Sequence, residues 1–230
     1  MKILALDTST EACSAALLAN GEVFERYRVA PREHNRLILP MIDEVLAEAG
    51  LTLPQLDALA FGRGPGAFTG VRIAVGVAQG IAFAADLPVA PVSTLAALAA
   101  EALDACTDAF AFPCIDARMA EVYWAVYRRD PELIVRLVGQ EAVVAADAVE
   151  FPQEAAGAGI GSGWATYAAT LGPRLGSSRV SSLYTDRFPR ASWIARLGAV
   201  IHRRGGSVQA EQAQPVYLRD RVAKKPGGVW

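Results

Sequence analysis

MKILALDTSTEACSAALLANGEVFERYRV, residues Met1 to Val29, reads as three consecutive strands. Ile3 to Asp7 forms the first and Cys13 to Ala19 the second; Asn20-Gly21, the favoured type I′ hairpin pair, joins the second to Val23 to Val29. From Phe110 the pattern begins again. Ala111 to Asp116 is a strand ending in an acid, Glu121 to Tyr127 a second, and Leu133 to Val138 a third after the Asp130-Pro131 turn. Two acid-ended strands, each followed by two more, describe one plan used twice.

Between the two copies, periodicity predicts a helix over Asn35 to Ala49, a buried strand over Leu56 to Phe61 and an apolar helix over Ala67 to Ala84. A strand at Leu87 to Val92 and an alanine-rich helix capped by Ser93 follow, giving the order βββαβαβα. The second half is weaker. It offers a short helix at Ala145 to Glu150, a strand at Ala156 to Ile160, a helix from Gly163 and an ill-defined segment at Arg179 to Leu183. Its last helix puts Trp193, Ile194, Leu197, Val200 and Ile201 on one face and stops at Gly205. The expected fold is α/β: an actin-like (ASKHA, ribonuclease H-like) duplicated two-lobed fold, each lobe a mixed sheet flanked by helices. The lobes are expected at residues 1–106 and 107–230, the second reduced, with the last helix and tail packing back on the first.

The 230 residues are 53% hydrophobic and 20% charged, enough for a substantial core and against disorder. A net charge of −2 argues against autonomous nucleic-acid binding, which needs a clearly basic surface. Cys13, Cys106 and Cys114 form no C-x-x-C pair and leave an odd count, which fits a reducing cytosol. The four apolar residues between Lys2 and Asp7 are too few for a secretory signal, and the apolar run Ile73 to Ala85 is broken by Gln79 and too short to span a bilayer. A cytoplasmic protein without membrane contact is expected.

Asp7-Thr8-Ser9-Thr10 occupies the turn where actin-like ATPases place amides and hydroxyls around phosphates, and an acid there can hold magnesium through water. The same residues can equally satisfy the hairpin's own backbone. Asp116-Ala117-Arg118 is the matching element, but Ala117 stands where a glycine would admit a phosphate. The spacing Gly62-x-Gly64-x-x-Ala67 imitates a dinucleotide fingerprint, yet the acid expected to end the next strand is missing: Asp86 precedes that strand and Val92 ends it. Gly159-Ile160-Gly161-Ser162-Gly163-Trp164 fails the nucleophile-elbow pattern at Ile160 and reads as a plain turn before a helix. The two histidines, His34 and His202, are far apart and form no metal-binding pair. The basic tail Arg219, Arg221, Lys224 and Lys225 reads as a solvated end or a small contribution to an RNA surface.

Two helices are too apolar for a one-faced role. On the first, Leu37, Ile38, Leu39, Met41, Ile42, Val45, Leu46 and Ala49 cover about 200° of the circumference, against roughly 100° for an ordinary surface helix. On the second only Thr69, Arg72 and Gln79 are clearly polar, while Gly70, Ala74, Gly76, Ala78 and Gly80 let another backbone come close. A subunit interface over both helices is expected.

The opening MKILALDTSTEACSAAL, the block FGRGPGAFTGVRIAVGVAQGIAF, IDARMAEVYWAVY, GIGSGW and the terminal QPVYLRDRVA together resemble the bacterial TsaB family, also called YeaZ, over essentially the whole chain. The resemblance implies a non-catalytic subunit of the machinery that makes threonylcarbamoyladenosine beside the anticodon of tRNAs reading codons that begin with A. Its implied partners are the paralogous transferase TsaD and the ATPase TsaE, with a homodimer in the absence of TsaD and tRNA met only through the complex. In TsaD an H-x-x-x-H pair after the corresponding strand binds the catalytic metal; here Thr94 and Leu98 stand at those positions. The expected partner-binding residues are Leu37, Ile38, Met41, Ile42, Val45, Phe68, Arg72, Val75, Gly76 and Gln79, with no catalytic residue and no metal ligand. Asp7, Thr8, Ser9, Thr10 and Asp116 are the nucleotide candidates, no cofactor being required by this chain and a nucleotide at the partner interface being compatible with it. The alternative reading is an actin-like, ATP-dependent phosphotransferase acting on its own through Asp7, Thr10 and Asp116.

Overall fold

A computed structural model describes residues 1–152, 156–175 and 180–219. Arg179, Arg221, Lys224 and Lys225 lie outside the described residues. The first half contains β1 (Lys2–Asp7), β2 (Ala12–Ala19), β3 (Glu22–Val29), α1 (His34–Ala49), β4 (Ala58–Gly62), α2 (Phe68–Ala85), β5 (Val89–Val92) and α3 (Thr94–Asp104). The second contains β6 (Phe110–Arg118), β7 (Glu121–Asp130), β8 (Ile134–Ala145), β9 (Gly157–Ile160), α4 (Ser162–Thr166), α5 (Ala168–Leu175), β10 (Val180–Tyr184) and α6 (Ala191–Arg203).

The two five-stranded sheets have one topology. The first runs β3-β2-β1-β4-β5 and the second β8-β7-β6-β9-β10. In each, the first three strands pair antiparallel and the last two add in parallel. The fold is thus the duplicated, two-lobed actin-like architecture, each lobe a mixed sheet flanked by helices. Asn20 and Gly21 have φ of 53° and 95°, as the I′ hairpin turn requires.

Side-chain alternation along the strands sorts the core into three layers. Ile3 and Ala5 face a central cluster built from α3 and α6, whereas Leu4 and Leu6 face α1 and α2. Sheet two repeats this: Ala111 and Ile115 join the central cluster, while Phe112 and Cys114 pack with Trp124 and Trp164 on the outer side. The central residues are mostly alanine because α6 lies close to the first sheet; a Cβ at Gly198 would sit 2.4 Å from that of Ala60. The first lobe also supplies acceptors for the amides at the start of α6, since Ala191 N donates to Ser14 Oγ (3.0 Å) and Ser192 N to Glu25 Oε1 (2.9 Å). Ser93 caps α3 as expected, its hydroxyl accepting from Ala96 N at 3.2 Å.

Four local expectations change. β8 continues to Ala145, so the helix expected at Ala145 to Glu150 shrinks to one 3₁₀ turn, Ala146–Ala148. The helix from Gly163 is broken at Tyr167 into α4 and α5, and the ill-defined segment forms β10 from Val180 because it completes the sheet beside β9. The expectation that this apolar segment is too short to span a bilayer also changes, because α2 extends beyond the run Ile73 to Ala85 that Gln79 interrupts. Its 18 residues make it, by length and composition alone, long enough to cross a bilayer, although only 33% of it is buried inside this fold.

Candidate functional site

Two surfaces merit attention: the cleft between the acid-ended strands, and the outward face of α2. In the cleft, the β1–β2 turn faces the β6–β7 turn across a cavity of about 240 Å³, walled by Ser9, Thr10, Asp116 and Arg118 from the two turns and by Gly66 to Phe68 at the start of α2. Residues Val216 to Arg219 form the remaining wall.

Of the nucleotide candidates, Ser9, Thr10 and Asp116 line this cavity, whereas Asp7 and Thr8 are wholly buried beneath it. Asp7 Oδ1 accepts from the amide (3.0 Å) and the hydroxyl (2.8 Å) of Ser9, while Oδ2 has no partner among the described residues. Burial outweighs those two bonds and raises the carboxyl from 3.8 to about 7. Thr8 spends its hydroxyl on Gly70 O at 2.7 Å.

The glycines explain the seal. A Cβ at Gly62 would stand 1.8 Å from Asp7 Oδ2, one at Gly66 2.3 Å from Ser9 O, and one at Gly70 2.0 Å from Thr8 O. The Ala67 amide donates to Ser9 O at 2.7 Å. The glycine-rich turn therefore lets α2 lie directly on the β1–β2 turn, and those backbone groups are already engaged with each other.

Across the cleft, Asp116 Oδ1 accepts from Arg118 N (2.8 Å) and Tyr167 Oη (3.0 Å), and the Arg118 guanidinium reaches both Asp116 (3.1 Å) and Glu11 (3.0 Å). Arg118, Met119 and Ala120 all have φ between 58° and 65°, three consecutive left-handed residues in the β6–β7 turn. His34 is buried; its Nε2 donates toward the carbonyls of Thr10 (2.9 Å) and Ala12 (3.2 Å) and ties α1 to the same turn. His202 contacts Ser207 Oγ at 3.1 Å at the end of α6. In the Gly159 to Trp164 turn, the Trp164 indole donates to Phe112 O at 2.8 Å, so the turn anchors an aromatic core. Thr94 and Leu98 are both fully buried: Thr94 Oγ1 donates to Pro65 O at 2.5 Å, and Leu98 packs in the central cluster. Among the described residues, no three His, Cys, Asp or Glu side chains converge as a metal-binding group.

The second surface sorts the expected partner residues by exposure in the isolated chain. Leu37, Ile38, Met41, Ile42 and Val45 are buried in their own subunit, on the outer side of sheet one with α2 beside them, and so is Val75. The sheet, β3 and α2 together cover the wide apolar arc of α1, which sequence periodicity could not apportion. Gln79 is half-buried, its amide donating to Ala213 O at 2.9 Å. Phe68, Arg72 and Gly76 remain exposed. Also exposed are Gly80, already marked in the sequence for close approach of another backbone, Leu39 of the apolar arc of α1, 51% exposed, and Phe83, which is 82% exposed. A Cβ at Gly76 or Gly80 would meet nothing within 4 Å. The signal for this face was present in the four-residue spacing of Phe68, Arg72, Gly76, Gly80 and Ala84.

Fold and site together define a two-lobed protein of the actin-like class whose first acid is sealed from the cleft and whose longest helix, among the described residues, presents a largely exposed outer face. A family model described as "TsaD: tRNA N6-adenosine threonylcarbamoyltransferase" matches residues 26–169. The chain is 42% identical to "tRNA threonylcarbamoyladenosine biosynthesis protein TsaB" of Escherichia coli K12, over 99% of both chains. It is 40% identical to the protein of the same name from Haemophilus influenzae, covering 99% of this chain and 98% of that one. The solved structure of YeaZ from Pseudomonas aeruginosa superposes with a TM-score of 0.87 at 46% identity, over 94% of this chain and 99% of that one. The chain belongs to the TsaB (YeaZ) family.

Proposed function

We propose that this chain serves tRNA N6-threonylcarbamoyladenosine (t6A) biosynthesis as a non-catalytic scaffold subunit in the cytoplasm. In this reading it docks and supports the transferase TsaD through the outward face of α2 and the adjoining edge of α1, together with the ATPase TsaE. It pairs with a second copy of itself when TsaD is absent, and meets tRNA only through the complex. No cofactor is required by the chain itself, and a nucleotide is accommodated at the partner interface.

One observation carries the reading: an 18-residue apolar helix of which 33% is buried, with Gly76 and Gly80 open on the outer face and Phe83 82% exposed. Glycine in an exposed helix costs roughly 0.5–1 kcal/mol relative to alanine. Close approach of another helix gives that cost a purpose. The names of the relatives supply the pathway. The sealed Asp7 and the buried Thr94 and Leu98 speak against an independent phosphotransferase and against metal-dependent transfer by this chain.

The test is assembly with TsaD. Burial of the Phe83 ring contributes about 2 kcal/mol, or roughly thirtyfold in affinity. Phe83→Asp removes that term and adds a desolvated charge, so the dissociation constant measured by calorimetry rises at least thirtyfold while the melting temperature of the isolated chain stays unchanged. Undiminished binding by Phe83→Asp and by Gly80→Asp would sink the proposal.

A further inference from the structure

The segment after α6 returns across the molecule as a strap, and each of its contacts has a definite anchor. Ala213 is fully buried and accepts from Gln79 Nε2 of α2. Val216 N donates to Arg63 O at 2.8 Å in the loop between β4 and α2. The Tyr217 hydroxyl accepts from Arg72 Nε at 2.9 Å, its ring lies 5.5 Å from that of Phe68, and the Arg72 guanidinium sits 3.8 Å over the Phe68 ring. Arg219 then crosses to the other lobe, donating to Glu121 at the start of β7 and to Arg118 O (3.4 Å) in the β6–β7 turn.

The strap therefore begins on the first lobe and ends on the second at the open side of the cleft. There Arg63, whose carbonyl takes the Val216 amide, reaches Glu141 of β8 at 3.5 Å, and the exposed Arg118–Glu11 pair also joins the lobes. Such an exposed ion pair holds little by itself. Behind the cleft the lobes share the α3–α6 layer, with Ser93 Oγ at the start of α3 donating to Glu141 Oε1 of the second lobe. This is hinge geometry: a packed back and an open front closed by a few polar contacts. With Val216 to Arg219 as its wall, the cleft retains about 240 Å³, below the roughly 300–1,000 Å³ of sites for drug-sized ligands.

We propose that residues 213–219 are a built-in clasp that holds the two lobes closed without a ligand, in the place where a two-lobed protein of this class would close on a nucleotide. Its last link is the Arg219 guanidinium on Glu121 and the Arg118 carbonyl. The inference does not depend on which partner covers α2.

Hydrogen exchange on the full chain, read by mass spectrometry, tests it. In Tyr217→Ala/Arg219→Ala, exchange of segments 8–11 and 116–121 should rise at least tenfold, with β1, β4 and residues 110–115 of β6 unchanged. Arg219→Glu should act in the same direction, and Glu121→Arg in the same chain should restore slow exchange. If the double variant loosens the whole molecule, this charge-swapped pair decides, because a general loss of stability is not rescued by exchanging two surface charges. Unchanged exchange in Arg219→Glu, or no recovery in the swapped chain, overturns the clasp. So does slowing of both segments by millimolar magnesium-ATP in the unmodified chain, since the cleft would then close on nucleotide with the strap in place.

Discussion

Replacing Asp7 by asparagine should remove a large and specific part of this protein's pH dependence. The Asp7 carboxyl is fully buried, two bonds from Ser9 stabilise its charged form, and burial nevertheless lifts it from 3.8 to about 7. Between those values the native protein holds a proton that the unfolded chain has released, so raising the pH disfavours folding. The contribution is fully present below about pH 3.8 and is lost as the pH rises through about 7. A shift of about three pH units corresponds to about 4 kcal/mol, with a limiting slope near 1.4 kcal/mol per unit. The assay is urea denaturation of the unmodified chain and Asp7→Asn at intervals from pH 5 to 8. Other titrating groups are common to both proteins and cancel in the difference. The stability of the unmodified chain relative to Asp7→Asn should fall steadily to about pH 7 and level off above it. Parallel profiles would refute the reasoning and show that the carboxylate is solvated, as a magnesium-binding acid at the cleft would be.

Gly76→Ala/Gly80→Ala should stabilise the isolated chain by about 1–2 kcal/mol, because both methyl groups enter open space on a helix; at roughly 2–4 °C per kcal/mol for a chain of this size, a thermal melt resolves it. The same variant should bind TsaD more weakly, and a gain in both properties would contradict the proposed docking face. Leu37→Asp, at a position 8% exposed, should cost upward of about 4 kcal/mol and abolish soluble folded protein, whereas Leu39→Asp, 51% exposed, should shift the isolated chain's stability by no more than about 0.5 kcal/mol. Gly62→Ala should lose about 1–3 kcal/mol through the clash with Asp7 Oδ2, and Asp7→Ala in the same chain should recover much of it, a non-additivity that a double-mutant cycle measures.

The duplicated plan was legible because strand signals are local. The apolar run Ile3 to Leu6, the Asn20-Gly21 turn and the acid near the end of each first strand depend on neighbours in sequence, and the two sheets share one strand order. The reduced second half was less legible for a physical reason: β10 and the C-terminal part of β8 are held by the partners they pair with, Gly157 to Ile160 and Glu121 to Trp124, rather than by strong patterns of their own. At the site, Asp7 and Asp116 were recognisable as equivalent strand ends, but their different environments were not. Gly62, Gly66 and Gly70 bring α2 onto the β1–β2 turn and bury Asp7, while Asp116 remains at the cleft with Arg118 and Tyr167 as partners.

The sequence by itself determined the two-lobed class, the family and the wide apolar arcs of α1 and α2, since composition, period and motif are properties of the chain read in order. Tertiary structure alone decided which apolar residues face outward. Leu37, Met41 and Val75 are consumed by the protein's own sheet and helices, while Gly76, Gly80 and Phe83 are left exposed. A helical period gives the angle between two side chains about their common axis, but what lies at each angle is set by elements distant in sequence.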